Sequence, residues 1–171
     1  MRLNKLFLFL TVAGIAASFN SSARAEDSLF NPSGARTLTP SEQQSFGPAS
    51  AGRHYDRRMI EAAHIAKRRA EAQKTWYCWR YVKEALVESG VVTSRPQSAY
   101  AKEAGTELVT RHGFVKLPTL DPMKAPVGAV IVYGGNDAGH VELRTENGFV
   151  SDFISRTPYP RPCVGVYVKP A

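Results

Sequence analysis

The sequence predicts an α+β fold in which helices come first and an antiparallel β-sheet follows. Residues 55–112 contain helix-forming segments whose apolar residues recur at intervals of three and four positions. After residue 117 the pattern changes to short β-rich runs, VGAVIVY, HVELRT, FVSDFIS and VGVYVK, separated by turn-forming residues. Helices followed by consecutive strands are typical of an α+β domain. We expect one domain at residues 55–171, with N-terminal helices packed on a small antiparallel sheet.

Three helices are predicted in the first half of this domain. The first, at residues 55–73, has a narrow apolar stripe and is expected to pack weakly on the rest. The second begins with Thr75 as its N-cap and stops at Gly90. The third runs from Ser98, another capping residue, to His112.

The first 25 residues have the pattern of a secretory signal peptide. Arg2 and Lys5 precede an apolar run at residues 6–17, and a small-x-small cleavage pattern ends at Ala25. The apolar run is shorter than the roughly 20 residues that span a bilayer. We therefore expect cleavage after Ala25 and a periplasmic or secreted protein without a transmembrane segment. Cleavage lowers the formal charge from +7 to +4, since three basic residues and no acid are removed.

Residues 26–54 are rich in Ser, Pro, Gly and Gln and have no apolar period, which predicts a flexible linker. Basic residues then crowd residues 53–74. Such a run is typical of a solvated helix face, or of a surface attracted to an anionic polymer. Because no nucleic-acid motif accompanies it, the cell wall is the anionic partner we expect, and no nucleic acid.

The placement of Cys78, one of two cysteines, draws attention to the second helix. With Thr75 as N-cap, Cys78 lies at the third helical position, where free N–H groups and the helix dipole favour a thiolate. A cysteine there is a core residue, a disulfide partner or a nucleophile. Of the four histidines, His140 is distinctive because it follows the loop GGNDAG and opens a strand. No close-spaced set of Cys and His ligands predicts a metal site.

Three segments in order, CWRYVKEAL, SAYAKEAGTELVTRHGF and PVGAVIVYGG with AGHVELRTENGFVSDF, resemble the CHAP group of bacterial cell-wall hydrolases. These are cysteine, histidine-dependent amidohydrolases or peptidases with a papain-like fold. The resemblance covers roughly residues 55–169. It implies that Cys78 is the nucleophile, that His140 is its base, that an amide of peptidoglycan is cleaved through an acyl-enzyme, and that no cofactor takes part.

The third catalytic residue should be a polar group on the strand after His140, and Asp152 is the main candidate. If residues 147–148 form a two-residue turn, paired residue numbers sum to 295 and Asp152 points away from His140. If residues 146–148 form a three-residue loop, the sum is 294 and Asp152 shares the histidine's face. The chemistry favours the second register, because a carboxylate best stabilises an imidazolium.

Other residues are candidates for supporting roles. Glu142 is an alternative third member or a substrate contact, because it lies two residues along the same strand face as His140. Ser151 is a further candidate for the third position. Tyr77 and Trp79 are candidates to line the substrate groove. The bulky WYCWRY context differs from many CHAP relatives and leaves the oxyanion donors open between the Cys78 N–H and the Gln73 side chain.

Two other functions remain open at the level of sequence. A disulfide between Cys78 and Cys163 would make the chain a non-catalytic cell-wall-binding or structural module, because exported proteins oxidise paired cysteines. The same Cys-His pair could instead transfer the acyl group to an amine, as transglutaminase-like enzymes do. In each case we expect a monomer.

Overall fold

The computed structural model describes residues 55–171, in which three α-helices precede most of a six-stranded sheet. The helices are α1 (Arg58–Arg69), α2 (Cys78–Glu88) and α3 (Ala104–His112). The strands are β1 (Val115–Lys116), β2 (Val130–Tyr133), β3 (His140–Thr145), β4 (Gly148–Val150), β5 (Ile154–Ser155) and β6 (Cys163–Val168). Short 3₁₀ helices occupy Ala101–Glu103 and Pro122–Lys124. The predicted signal peptide (1–25) and linker (26–54) lie outside the described residues.

All six strands pair antiparallel in one sheet, in the order β1-β6-β2-β3-β4-β5. The predicted α+β class is therefore confirmed. The central strand β2 is buried at every position, as its unbroken apolar sequence VIVY requires. Strand β1 was not predicted, because two residues are too few to show a period. Within residues 55–171, no helix is long and apolar enough to cross a bilayer.

Helix α1 packs more tightly than the sequence suggested. It contacts α2 and β3, and Met59, Ala62 and Ala63 are almost completely buried. Its small alanines let neighbouring backbone approach closely, and a Cβ built on Gly128 would lie 2.6 Å from the Met59 carbonyl carbon. The expectation of weak packing was wrong. It was based on the width of the apolar stripe, and it left out how closely neighbouring backbone can approach a helix whose buried residues are alanines.

Helix α2 begins two residues later than predicted. Its N-cap is Tyr77, which makes no side-chain cap, so Cys78 is the first helical residue rather than the third. The preceding Trp76 has φ 69°, a left-handed conformation that stops the helix from extending backward. The Thr75 hydroxyl, which was expected to cap the helix, donates to Asp152 instead.

Ser98 is not a helix cap either. The 3₁₀ turn starts at Ala101 and leads directly into α3 at Ala104. The Ser98 N–H donates to Glu107 Oε2 at 2.8 Å, so a carboxylate from within α3 reaches back to the segment before the helix. The capping signal was genuine hydrogen-bonding capacity, which the structure uses in another contact.

The β3–β4 hairpin has neither of the registers considered from sequence. Leu143 pairs with Val150 and Thr145 with Gly148, so paired numbers sum to 293 and the turn is Glu146-Asn147. Gly148 starts β4 rather than forming the turn, and only glycine fits there, because a side chain would lie 2.2 Å from the Ser155 carbonyl oxygen on β5. The chain then reverses after Val150, and residues 151–153 form a tight turn rather than a continued strand.

Candidate active site

The structure brings Cys78 and His140 together. Cys78 is the first residue of α2 and His140 is the first residue of β3, and these two elements pack on each other. The Cys78 thiol and the His140 imidazole are close enough to interact, and both residues are buried. The pair that the sequence analysis singled out therefore has the contact that a nucleophile and its base require.

The imidazole of His140 is held on several sides. Its Nε2 lies 3.5 Å from Glu142 Oε2, an ion-pair contact at the long limit of a hydrogen bond. The Tyr159 ring stacks on it with centroids 3.9 Å apart and planes 21° apart. The rings of Tyr133 and Phe153 lie further out, at 5.9 and 6.4 Å. Nε2 makes no hydrogen bond among the described residues, so its contact with Glu142 is electrostatic.

Glu142 is itself positioned by two donors. Its Oε1 accepts the Tyr133 hydroxyl at 2.5 Å and the Tyr159 N–H at 3.4 Å, which leaves Oε2 for His140. Burial and the neighbouring Glu142 raise the pKa of Tyr133 far above its ordinary value, so the hydroxyl stays a proton donor at neutral pH. The glutamate is 2% exposed, so the predicted role as a substrate contact does not fit its location.

The surroundings of His140 favour its cationic form. Burial by itself lowers the pKa of the imidazole, but the contacts with Cys78 and Glu142 outweigh burial and raise the pKa above the ordinary value. An imidazolium between a thiolate and a carboxylate is the charge arrangement that a cysteine nucleophile needs before it attacks.

Asp152 occupies a different place from the one expected. Its buried carboxylate accepts the Thr75 N–H at 2.7 Å, the Thr75 hydroxyl at 2.9 Å and the Ser151 hydroxyl at 2.9 Å. Burial raises the pKa of this carboxyl, but the three donors outweigh it and the pKa is lowered. Asp152 and Ser151 thus tie the turn after β4 to the segment that leads into Cys78, while Glu142 is the carboxylate beside the imidazole.

Exposed aromatic residues precede the cysteine. Trp76 is 77% exposed and Tyr77 is 60% exposed. The Lys74 ammonium lies 3.9 Å from the centroid of the Trp76 ring and donates to the Tyr159 hydroxyl, so it links this segment to the ring that covers His140. Tyr77 is therefore open to solvent, and its role as a substrate contact stays a prediction.

Trp79, by contrast, belongs to the core. It is 4% exposed, and its Nε1 donates to the carbonyl and hydroxyl oxygens of Ser98 at 3.2 and 3.0 Å. The prediction that Trp79 lines the groove does not fit this position, because the side chain is buried against the segment at Ser98 rather than exposed to solvent. The side chain of Gln73 is exposed. As the first residue of α2, Cys78 carries an N–H without an acceptor inside the helix, which suits an oxyanion donor.

Both cysteines are free thiols, so the structure does not contain the Cys78–Cys163 disulfide that was considered. Cys163 begins β6 opposite Tyr133, and burial raises the pKa of its thiol. Among residues 55–171, no group of three or more His, Cys, Asp or Glu side chains is arranged to hold a metal ion.

Two tyrosines of this site were missed by the sequence analysis. Tyr133 ends the VGAVIVY run and is the direct cross-strand partner of His140. Pairing the two strands across the six-residue loop 134–139 would have revealed it. Tyr159 lies in an irregular segment, RTPYPRP, for which the sequence offers no positional signal.

No model of a protein family matches the chain, and no curated protein matches it. Among solved structures, the chain is similar to one in the crystal structure of the type VI native effector–immunity complex Tae3–Tai3 from Ralstonia pickettii. The TM-score is 0.54 at 25% identity, covering 66% of this chain and 98% of that chain. The selenomethionine form of that complex gives a TM-score of 0.49 at 27% identity, covering 64% and 97%. The similarity with the native complex thus extends over nearly the whole of that chain.

Proposed function

We propose that this protein is a peptidoglycan hydrolase that cleaves an amide bond of cell-wall peptide through a cysteine acyl-enzyme, as the resemblance to CHAP hydrolases implies. The observation that carries the proposal is the buried contact between Cys78 at a helix N-terminus and His140, whose Nε2 lies 3.5 Å from Glu142. The similarity of the fold to a chain of a type VI effector–immunity complex supports it.

The reaction follows from the contacts of these three residues. The Cys78 thiolate attacks the amide carbonyl carbon and forms a C–S bond, while its backbone N–H donates to the developing oxyanion. His140 gives a ring N–H proton to the amine nitrogen as the C–N bond breaks. His140 then takes a proton from water, the hydroxide attacks the thioester, the C–S bond breaks, and a carboxylic acid leaves. Glu142 keeps the imidazole oriented and stabilises its cationic form.

Peptidoglycan is the substrate that best fits the remaining features. The predicted signal peptide at residues 1–25 directs the chain to the periplasm or outside the cell, where this polymer lies. The structural neighbour is an effector in complex with an immunity protein, which agrees with an activity that must be restrained. The proposed enzyme acts as a monomer without a cofactor.

The experiment is digestion of purified peptidoglycan by the wild-type protein and by Cys78→Ala, followed by mass analysis of the muropeptides. We expect new amine and carboxyl ends with the wild-type protein only, and unchanged activity for Cys163→Ala and in the presence of a chelator. New reducing sugar ends, or activity retained in Cys78→Ala, would contradict the proposal. Products joined to an added primary amine would identify the acyltransferase instead.

A further inference from the structure

A cleft of about 500 Å³ lies beside the proposed catalytic pair and has no part in the mechanism above. It is lined by Arg69, Thr75, Tyr77, Arg80, Tyr81 and Glu84. Thr75 and Tyr77 are in the segment that enters α2, and the residues from Arg80 onward are on the first turns of that helix. The cleft is therefore next to Cys78 in the chain, although neither Cys78 nor His140 lines it, and its lining includes the exposed ring of Tyr77.

Two guanidinium groups and one carboxylate, Glu84, are the charged groups that line this cleft. Arg80 uses its Nε to donate to Glu84 Oε1 at 3.0 Å, and Arg69 uses Nη2 to pair with Glu88. Each guanidinium carries five N–H donors. The ion pairs orient the two groups and use only some of these donors, so others remain for a ligand. Both side chains are substantially exposed to solvent.

Two tyrosines complete the lining of the cleft: the ring of Tyr81 is held by a hydrogen bond, and the ring of Tyr77 is exposed. The Tyr81 hydroxyl donates to Glu71 Oε1 at 2.7 Å, which holds that ring at the wall of the cleft. Tyr77 is 60% exposed and remains available to a ligand. Planar guanidinium groups beside aromatic rings are well suited to bind a carboxylate in a bidentate manner.

We infer that this cleft is a subsite for a free carboxylate of the peptide whose amide is cleaved at Cys78. The inference rests on the proposed function and adds to it that the substrate is negatively charged. An extended peptide advances about 3.3 Å per residue, so a peptide that crosses Tyr77 can place a carboxylate of a nearby residue in the cleft while its amide lies at Cys78. An acidic stem peptide, rather than an uncharged one, is the substrate this site selects.

The test compares two ligands, a muropeptide with free peptide carboxylates and the same muropeptide with those carboxylates amidated. Binding is measured by calorimetry on the full-length Cys78→Ala protein, so that no turnover is needed. Arg69→Ala and Arg80→Ala should each weaken binding of the free-carboxylate ligand about fivefold, with the double variant weaker still. The amidated ligand should bind weakly to all variants.

Matched variants separate this effect from loss of general positive charge. Arg68→Ala removes an exposed arginine of α1 that pairs with Glu61 outside the cleft, and it should bind both ligands like the parent protein. Arg80→Lys keeps the charge but not the planar fork, and it should lie between the parent and Arg80→Ala. In the active protein the same arginine changes should raise KM for the free-carboxylate substrate and leave kcat within about twofold.

The result that would overturn the inference is an equal effect of the arginine variants on both ligands, or no effect on either, in proteins whose thermal unfolding matches the parent. Failure of the proposed function is distinguishable from this. If Cys78→Ala binds the free-carboxylate ligand in an arginine-dependent way while the wild-type protein does not cleave it, the subsite stands and the hydrolase proposal falls.

Discussion

At the scale of single residues, the two thiols of this chain differ in what surrounds them. Cys78 is the first residue of a helix and contacts the imidazole of His140. Cys163 has no such support, and burial raises the pKa of its thiol. The expected reactivity of each thiol therefore depends on its surroundings and not only on its being a cysteine.

This difference predicts selective alkylation. Iodoacetamide at about pH 6.5 should modify Cys78 at least about tenfold faster than Cys163, because only the thiolate reacts. His140→Ala should slow modification of Cys78 and abolish turnover. Peptide mass mapping over a time course measures both rates. Equal rates at the two cysteines, or an unchanged rate at Cys78 in His140→Ala, would show that Cys78 is an ordinary core residue.

The contact between His140 and Glu142 predicts a change in pH dependence. In the active ion pair His140 is protonated, so activity falls as pH rises through its pKa, which Cys78 and Glu142 hold above the ordinary 6.5. Glu142→Gln removes the carboxylate, so this basic limb should move to lower pH and kcat should fall by about 10²-fold. The pH profile of kcat measures both changes.

Two companion variants distinguish Glu142 from its neighbours. Tyr133→Phe removes one donor to Glu142 and should lower kcat about tenfold with KM unchanged, since the tyrosine acts through the carboxylate. Asp152→Asn should lower thermal stability by weakening the contacts with Thr75 but leave the basic limb in place. A shift of that limb in Asp152→Asn, and none in Glu142→Gln, would restore Asp152 as the third catalytic residue.

At the scale of elements, the site depends on how closely α1 and α2 approach β3. A left-handed Trp76 ends the loop that enters α2, and this sets Cys78 as the first helical residue. The carboxylate of Asp152 holds the same loop through Thr75. The position of the cysteine is thus determined by a loop that is anchored to the turn after β4, rather than by a helix cap.

A pair of glycines tests the close approach of α1. Gly128 and Gly113 both have positive φ, 86° and 71°, but a Cβ on Gly128 would meet the backbone of Met59 and Ile60, whereas one on Gly113 meets nothing within 4 Å. Gly113→Ala should cost only the backbone strain, about 1 kcal/mol of unfolding free energy. Gly128→Ala should cost about 2–4 kcal/mol, because helix and strand must also move apart. Denaturant unfolding measures both; equal costs would mean that α1 is loosely held.

At the scale of the whole molecule, the expected export signal lies before residue 55 and the candidate active site lies in residues 55–171. If the segment at residues 1–25 is a signal peptide, the exported protein begins at Glu26. Expression of the full chain in a bacterium, with intact-mass analysis of the periplasmic fraction, should give that N-terminus. A chain that retains Met1 or stays with the cytoplasmic fraction would contradict export.

The amino-acid sequence by itself determined the α+β class, the approximate helix and strand segments, and the pairing of Cys78 with His140 as candidates. The class and the segments follow from local information, since apolar periodicity reflects which face is buried. The pairing of Cys78 with His140 also rested on the resemblance to CHAP hydrolases. The long helices and the four β-rich runs carried the strongest periods, and they were located to within a few residues.

Only the tertiary structure decided which carboxylate meets the imidazole and which aromatic side chains remain exposed. The hairpin register places Gly148 against β5, a contact that no turn motif encodes, and a shift of one residue exchanges the faces of Asp152 and its neighbours. Trp79 was taken into the core and Tyr159 was placed over His140 by segments far apart in the chain. Such contacts are set by packing between segments that are distant in the chain, so a local sequence pattern cannot predict them.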